Sequence, residues 1–277
     1  MRFIIGGRGR LGQAIFSRHG AGNAMVLDRA VYENWWRDGA RDEISRFFAA
    51  WEGSSSTVFV AAGILDPSLA QDLHMNINYQ LPKNIIEGVT KLGLKTVTFG
   101  TVMEQLPGAP NPYTLSKVQL GNYVAGLPVA DHGPAHFRVH TLYGRGQPSA
   151  FMFLGQILNC LRTESEFRMT QGLQLREYHH VEDDMRAVQL FLDSGFSGAG
   201  NLSHGQPVSL AALATFVFQA FNAERLLRIG GLPEPVAENY DQKFNRPQLL
   251  SGMEFRETLQ GVTDYLKTCS RALENQA

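Results

Sequence analysis

Tyr113 and Lys117 stand four residues apart in the stretch Asn111-Pro112-Tyr113-Thr114-Leu115-Ser116-Lys117. On a helix that interval places both side chains on one face, one turn apart. Pro112 suits the first position of such a helix, where its missing N–H would have had no partner. A lysine ammonium beside a phenol favours the phenolate and draws the tyrosine pKa down from about 10. A tyrosine tuned in that way moves a proton to or from a sugar or alcohol oxygen near neutral pH. Many ordinary exposed helices share the spacing, so its meaning depends on the elements around it.

Those elements begin at the first residues. Phe3 to Ile5 is an apolar run with nothing polar in it and reads as a buried parallel strand. Gly6-Gly7-Arg8-Gly9-Arg10-Leu11-Gly12 follows, with glycine at every third position, and Gln13 to Phe16 can continue as a helix. Strand, glycine turn and helix in that order let the backbone approach a pyrophosphate, and the helix N-terminus offers it free N–H groups. Ala24 to Leu27 reads as the second strand, ending at Asp28. An acid about twenty residues beyond the glycines is placed to accept hydrogen bonds from an adenosine ribose. Asp28 repels a 2′-phosphate and favours NAD, whereas Arg8 or Arg29 could hold that phosphate; the reading leans to NAD and leaves NADP open.

Thr57 to Val60 is a strand followed by Ala61-Ala62-Gly63, small residues that leave room for a cofactor at a strand's carboxyl end. One long helix is expected next, with Asn78 in its middle and Asn84 further on. Lys95 to Phe99 is the following strand, and Gly100-Thr101 closes it about a dozen residues before Tyr113, so the Thr101 hydroxyl suits the same substrate oxygen as Tyr113. Between Asp28 and Thr57 no third strand stands out; Trp35, Trp36, Phe47, Phe48 and Trp51 read as core-facing aromatics, with Asp42 capping a helix that runs to about Trp51. Ala135 to Thr141 is a further strand, ending in the turn Leu142 to Pro148. Ser149 to Leu161, Ser209 to Phe221 and Glu254 to Leu266 read as helices, with Arg246 in a polar loop. Asp183 or Asp184 is expected to cap a helix of about ten residues. His179 and His180 invite a metal reading, but no third ligand follows at useful spacing, and no metal is expected.

The 277 residues carry a net charge of −1, which excludes a strongly basic nucleic-acid or anionic-membrane binder. Two distant cysteines, Cys160 and Cys269, fit neither a disulfide scaffold nor a zinc motif. The first apolar run is too short for a signal peptide, and none approaches membrane-spanning length, so a cytoplasmic protein is expected.

In this order and spacing the chain resembles the extended short-chain dehydrogenase/reductase family, in its nucleotide-sugar epimerase, dehydratase and ketoreductase branch. The residues that carry the resemblance are Gly6, Gly9 and Gly12; Asp28; Ala61-Ala62; Asn78 and Asn84; Thr101; Tyr113 with Lys117; Tyr143-Gly144; and Arg176-Glu177-Tyr178 with Val181 and Asp183. The resemblance implies an α/β fold: a Rossmann-type doubly wound parallel sheet over 1–145 and a smaller C-terminal α/β substrate-binding domain over 146–277. Part of 178–205 is expected to return to the first domain. It implies an NAD(P)-binding set of Gly6, Arg8, Gly9, Arg10, Leu11, Gly12, Asp28, Arg29, Ala61, Ala62, Gly63, Asn78, Tyr113 and Lys117. Thr101 and Tyr113 would bind the sugar oxygen, with Tyr113 as acid/base and Lys117 lowering its pKa and bonding the nicotinamide ribose. Arg176, Arg246 and His140 would contact the nucleotide sugar. A homodimer through the helix carrying Tyr113 and the helix before it is implied too.

Dehydratases of the family follow their threonine with an Asp-Glu pair; Val102-Met103 stand here, which disfavours 4,6-dehydratase chemistry. The expected activity is oxidoreduction at sugar C4, as a 4-epimerase or a 4-ketoreductase. The alternative from a different class is a dinucleotide-sensing protein of the same fold without turnover.

Overall fold

In the computed structural model of the chain, residues 1–106, 111–130, 132–234 and 240–274 are described. The chain opens with β1 (Arg2–Ile5), α1 (Arg10–His19), β2 (Ala24–Val26), α2 (Arg29–Tyr32), α3 (Ala40–Phe48) and β3 (Thr57–Val60). Next come α4 (Gln71–His74), a π-helical turn at Met75–Gln80, α5 (Leu81–Thr90), β4 (Lys95–Thr101), α6 (Pro112–Ala125) and β5 (Ala135–Val139). The remainder runs β6 (Thr141–Tyr143), α7 (Phe153–Thr163), β7 (Phe167–Arg168), β8 (Leu175–Arg176), β9 (Tyr178–His180), α8 (Val181–Asp193), β10 (Gly198–Asn201), β11 (Val208–Ser209), α9 (Leu210–Ala220), β12 (Leu227–Arg228) and α10 (Thr258–Glu274).

Two compact units result, 1–139 with 185–202, and 140–184 with 203–277. In the first, six parallel strands lie in the order β10-β5-β4-β3-β1-β2. The order reverses at β1, which has β2 on one side and β3 on the other, so the turns after β1 and β3 diverge at a topological switch point. Phe3, Ile5, Val58 and Val60 alternate onto the sheet face covered by α3 and α5. Trp35 and Phe48 are fully buried there, with Phe47 and Trp51 packed edge-on at the margin and Trp36 against the same cluster.

In the second unit three two-stranded pairs, β6 with β9, β8 with β11 and β7 with β12, accompany α7, α9 and α10. Its core gathers Leu154, Ile157, Phe167, Leu213, Phe218, Val262 and Leu266. The strand expected over Ala135 to Thr141 differs from expectation. Residues 135–141 break at His140, because Thr141 to Tyr143 pairs with Tyr178 to His180 rather than extending the large sheet.

Other boundaries move for local reasons. α3 starts at Ala40 behind Gly39, whose φ of +80° turns the chain into the helix, so Asp42 lies in the first turn and is not its cap. α8 begins at Val181 directly after β9, which leaves Asp183 and Asp184 in the first turn, where they face the positive end of the helix dipole. The helix expected after Gly63 is divided into α4, the π turn and α5. The last helix begins at Thr258, not at Glu254.

Candidate active site

The glycine turn is built by close approach. Gly6 has φ +87°, and a Cβ there would stand 2.4 Å from the Ala62 nitrogen, where the two switch-point turns touch. A Cβ on Gly12 would meet the Gly6 carbonyl at 2.4 Å, so glycine at 12 lets α1 sit down on the turn. Gly9 differs: its nearest neighbour would be the Gly6 oxygen at 3.5 Å, an ordinary contact. It is the N-cap of α1 with no side-chain cap, and the N–H groups of the first helical turn lie beyond it. Arg8 and Arg10 flank it. On a dinucleotide reading of the turn, Gly9→Ala is expected to leave thermal stability nearly unchanged and to weaken dinucleotide binding about tenfold. Calorimetric titration alongside a melting curve checks both halves.

Asp28 ends the β2 segment, exposed, and its carboxylate caps α2 by accepting from Ala30 N–H at 2.9 Å. Arg29 follows it, also exposed. After β3, Ala61 and Ala62 lie half-buried and Gly63 is exposed. Asn78 is placed otherwise than the cofactor-binding set assumes. It is fully buried, and its amide spans Ile64, accepting from the Ile64 N–H at 2.9 Å and donating to the Ile64 carbonyl at 3.0 Å. It thus shapes the loop after β3 instead of presenting itself to a ligand. Asn84 donates to the Trp35 and Arg37 carbonyls and holds the segment before α3.

α6 begins as its sequence dictates, with Pro112 in the first turn and the Asn111 side chain accepting from Thr114 N–H at 2.9 Å. It carries Tyr113 and Lys117 to the carboxyl end of β4, where Thr101 is buried. The Lys117 ammonium donates to the Phe99 carbonyl at 2.8 Å. A Cβ on Gly63 would lie 3.7 Å from the Lys117 nitrogen, so the loop after β3 borders the same lysine. Burial pushes the Tyr113 hydroxyl well above its ordinary value; the Glu104 carboxylate pushes the same way, and a hydrogen bond with Thr101 opposes both. Burial lowers Lys117 to about 8, with Glu104 opposing. Lys117 is not among the groups that shift Tyr113, so the expected lowering by Lys117 does not appear here and the net shift is upward.

Glu104 is the residue that the spacing of Tyr113 and Lys117 does not reveal. It completes a capping box with Thr101, its carboxylate accepting from Thr101 N–H at 2.7 Å while the Thr101 hydroxyl accepts from Met103 N–H at 3.3 Å. The Thr-x-x-Glu spacing was the available signal. Two glycines make space for the carboxylate, since a Cβ on Gly100 or Gly121 would overlap its oxygens at 1.9 and 2.3 Å. Strand register supplies its partners. His136 and Arg138 alternate onto one face of β5, opposite Thr98 and Gly100 of β4. Arg138 donates to Glu104 at 2.8 Å, His136 Nε2 lies 3.2 Å away, and His136 Nδ1 pairs with the Thr98 hydroxyl at 2.9 Å. Burial alone would raise the Glu104 pKa, but the His136 hydrogen bond and charge, the Thr101 N–H and Arg138 outweigh it and hold the carboxylate below its ordinary value.

The remaining candidates lie in the second unit. Arg176 donates to the Leu175 carbonyl at 2.8 Å. Arg246 donates to the carbonyls of Leu250, at 2.8 Å, and Met253, and its guanidinium lies over the Phe255 ring. His140 is buried, against Phe244 and His179, in a cluster with Glu177. Thus Thr101, Glu104, Tyr113 and Lys117 form one group, and His140 belongs to another.

A doubly wound Rossmann-type sheet with a chemically equipped strand end defines the class of fold. No family model matches the chain, and no curated protein sequence does. Solved structures do match in shape. A UDP-glucose 4-epimerase from Thermotoga maritima, with UDP-glucose, is 15% identical with TM-score 0.78, covering 99% of this chain and 100% of that one. A dTDP-4-dehydrorhamnose reductase from Clostridium acetobutylicum is 19% identical with TM-score 0.75, covering 97% and 99%. A dTDP-glucose 4,6-dehydratase from Bacillus anthracis, in complex with NAD, is 14% identical with TM-score 0.76, covering 99% and 97%. The chain shares the α/β fold of these proteins over nearly its whole length.

Proposed function

We propose that this protein is an NAD(P)-dependent nucleotide-sugar oxidoreductase acting at sugar C4, as a 4-epimerase or a 4-ketoreductase. The observation that carries the reading is the grouping of Thr101, Tyr113 and Lys117 at the carboxyl end of β4, on the sheet edge that also bears the Gly6–Gly12 turn. The turn fits a dinucleotide: Gly9 is the glycine that no internal neighbour requires, and it caps a helix whose first N–H groups have no helical partner. Gly6, Gly9, Arg10, Leu11 and Gly12 would hold the pyrophosphate, Asp28 the adenosine ribose and Lys117 the nicotinamide ribose. Arg8 and Arg29 are the residues that would take a 2′-phosphate. A bound nicotinamide supplies hydride transfer with a sugar carbon.

The chain's own residues manage the proton. Tyr113, held protonated by burial, donates its proton to a carbonyl oxygen that becomes an alkoxide, or recovers it in the reverse direction. The Thr101 hydroxyl orients that oxygen, and its own backbone is fixed by Glu104. Dehydration at C5–C6 is disfavoured on this reading. Val102 and Met103 offer no acid, and the Glu104 carboxylate is taken up by Thr101, His136 and Arg138. The structures of an epimerase and a reductase of matching shape support the class of substrate.

Denaturing the freshly purified protein and identifying released nucleotide by mass spectrometry tests the cofactor. Stoichiometric NAD supports an epimerase that regenerates its cofactor. An empty protein that binds NADPH more tightly than NADH supports a ketoreductase. Absence of either nucleotide, bound or bindable, would end the reading. We also propose a homodimer through α5 and α6; sedimentation velocity at micromolar concentration should give the dimer, and a monomer there would refute it.

A further inference from the structure

Three segments of the second unit bring imidazoles around one carboxylate. Parallel pairing sets Thr141 opposite Tyr178, and Thr141 N–H donates to the Glu177 carbonyl at 3.2 Å. His140 is thereby laid against Glu177 and His179. Each of the three offers a ligand atom, all within 4.8 Å of one another, and all three side chains are buried. Glu177 Oε2 stands 3.0 Å from His179 Nε2 and 3.7 Å from His140 Nε2. A tetrahedral ion with bonds of 2.0–2.1 Å sets its donors about 3.3 Å apart, between those two separations.

The surroundings favour an ion as well. His140 Nε2 has no hydrogen-bond partner among the described residues, although the side chain is 5% exposed. His179 Nδ1 is held by Asp184 Oδ1 at 2.6 Å, which fixes the ring and aims Nε2 at the group, the arrangement by which carboxylates orient histidine ligands of metals. The other Glu177 oxygen accepts from the Ser203 hydroxyl at 2.7 Å, and the N–H groups of His204, at 2.8 Å, and Gly205, at 3.3 Å, support Oε2. Glu177 and Asp184 place two carboxylates around His179, which bridges them through both ring nitrogens; once His179 gives up its Nε2 proton, a divalent ion balances both carboxylates. His204 Nδ1 lies 3.4 Å from Oε2 but accepts from Gln206 N–H at 3.0 Å, so it stands outside the set.

We propose that His140, Glu177 and His179 bind a divalent transition ion of the zinc class, with water completing the coordination. Nitrogen donors with one carboxylate suit that class. Binding displaces the proton between His179 Nε2 and Glu177, and the ion ties the start of β6 to β9 as a structural clamp. Nothing in this requires oxidoreductase activity.

The test uses the full chain, stripped with a chelator and titrated with Co²⁺. The expected result is a visible cobalt absorption that saturates at one equivalent and is displaced by Zn²⁺, with a melting temperature that Zn²⁺ raises. His140→Phe fills the same space against Phe244; it should lose at least about tenfold in cobalt affinity, and its melting should no longer respond to Zn²⁺. His140→Gln serves in its place if the phenylalanine variant does not fold. No saturable cobalt band in the wild type, or equal affinity in the His140 variant, overturns the proposal.

Discussion

Replacing Tyr113 by Phe is expected to lower turnover of a nucleotide sugar by about 10²–10⁴-fold, the usual contribution of a positioned acid or base. Dinucleotide binding should survive, because the ring remains and only the hydroxyl is lost. The steady-state signature is a fall in kcat with little change in cofactor affinity. Unchanged turnover would leave the chain as a dinucleotide-binding protein without this chemistry. The pH profile adds a second reading of the same site. Burial brings Lys117 to about 8, so an activity that needs its ammonium declines as the pH rises through that value. Tyr113 does not set this alkaline limb, since its hydroxyl loses its proton only well above the ordinary phenol range.

The largest stability effect is expected at Glu104. Its carboxylate faces Arg138 and His136 and is 2% exposed, so Glu104→Ala leaves a half-buried guanidinium, the buried His136 and the Thr101 N–H without their partner. Breaking a buried pair from one side costs about 3–5 kcal/mol, a fall in melting temperature of roughly 10 °C for a chain of this size. Glu104→Gln keeps the shape and removes the charge. Because the folded pKa of Glu104 lies below its ordinary value, the carboxylate contributes stability above the ordinary range, and this is lost as the pH falls through the depressed value. The glutamine variant should therefore lose stability at neutral pH and show a flatter decline in acid. It should also bring the Tyr113 pKa down, since Glu104 is one of the charges that raises it. Thermal unfolding from pH 3 to 7 and a phenolate absorbance titration separate the two effects.

Local chemistry was the legible part. The Gly6–Gly12 turn, the Pro112 helix start and the placing of Thr101 at a strand end are each written in a few consecutive residues, and the structure has them where those residues place them. Glu104 was half legible: the capping spacing is in the sequence, but its partners come from β5, more than thirty residues on. His140 with Glu177 and His179 was not legible, because pairing of β6 with β9 brings them together and linear spacing says nothing of it. Asp42, and whichever of Asp183 and Asp184 the sequence offers, are not caps because the chain turns into each helix earlier, by a left-handed glycine at 39 and directly from a strand at 181.

The π-helical turn at Met75–Gln80 has a further consequence. A π turn holds one more residue than an α turn and is equivalent to a single insertion. Each α-helical residue advances the rotation by about 100°, so the extra residue reorients everything before it relative to everything after. Asn78 can then face Ile64 while Ile85 and Val89 of α5 stay on the core. Deleting any one residue from 75–80 would let the segment relax to a continuous α-helix and swing one of those two faces away. The position should therefore tolerate substitution at its half-buried residues far better than any change in length.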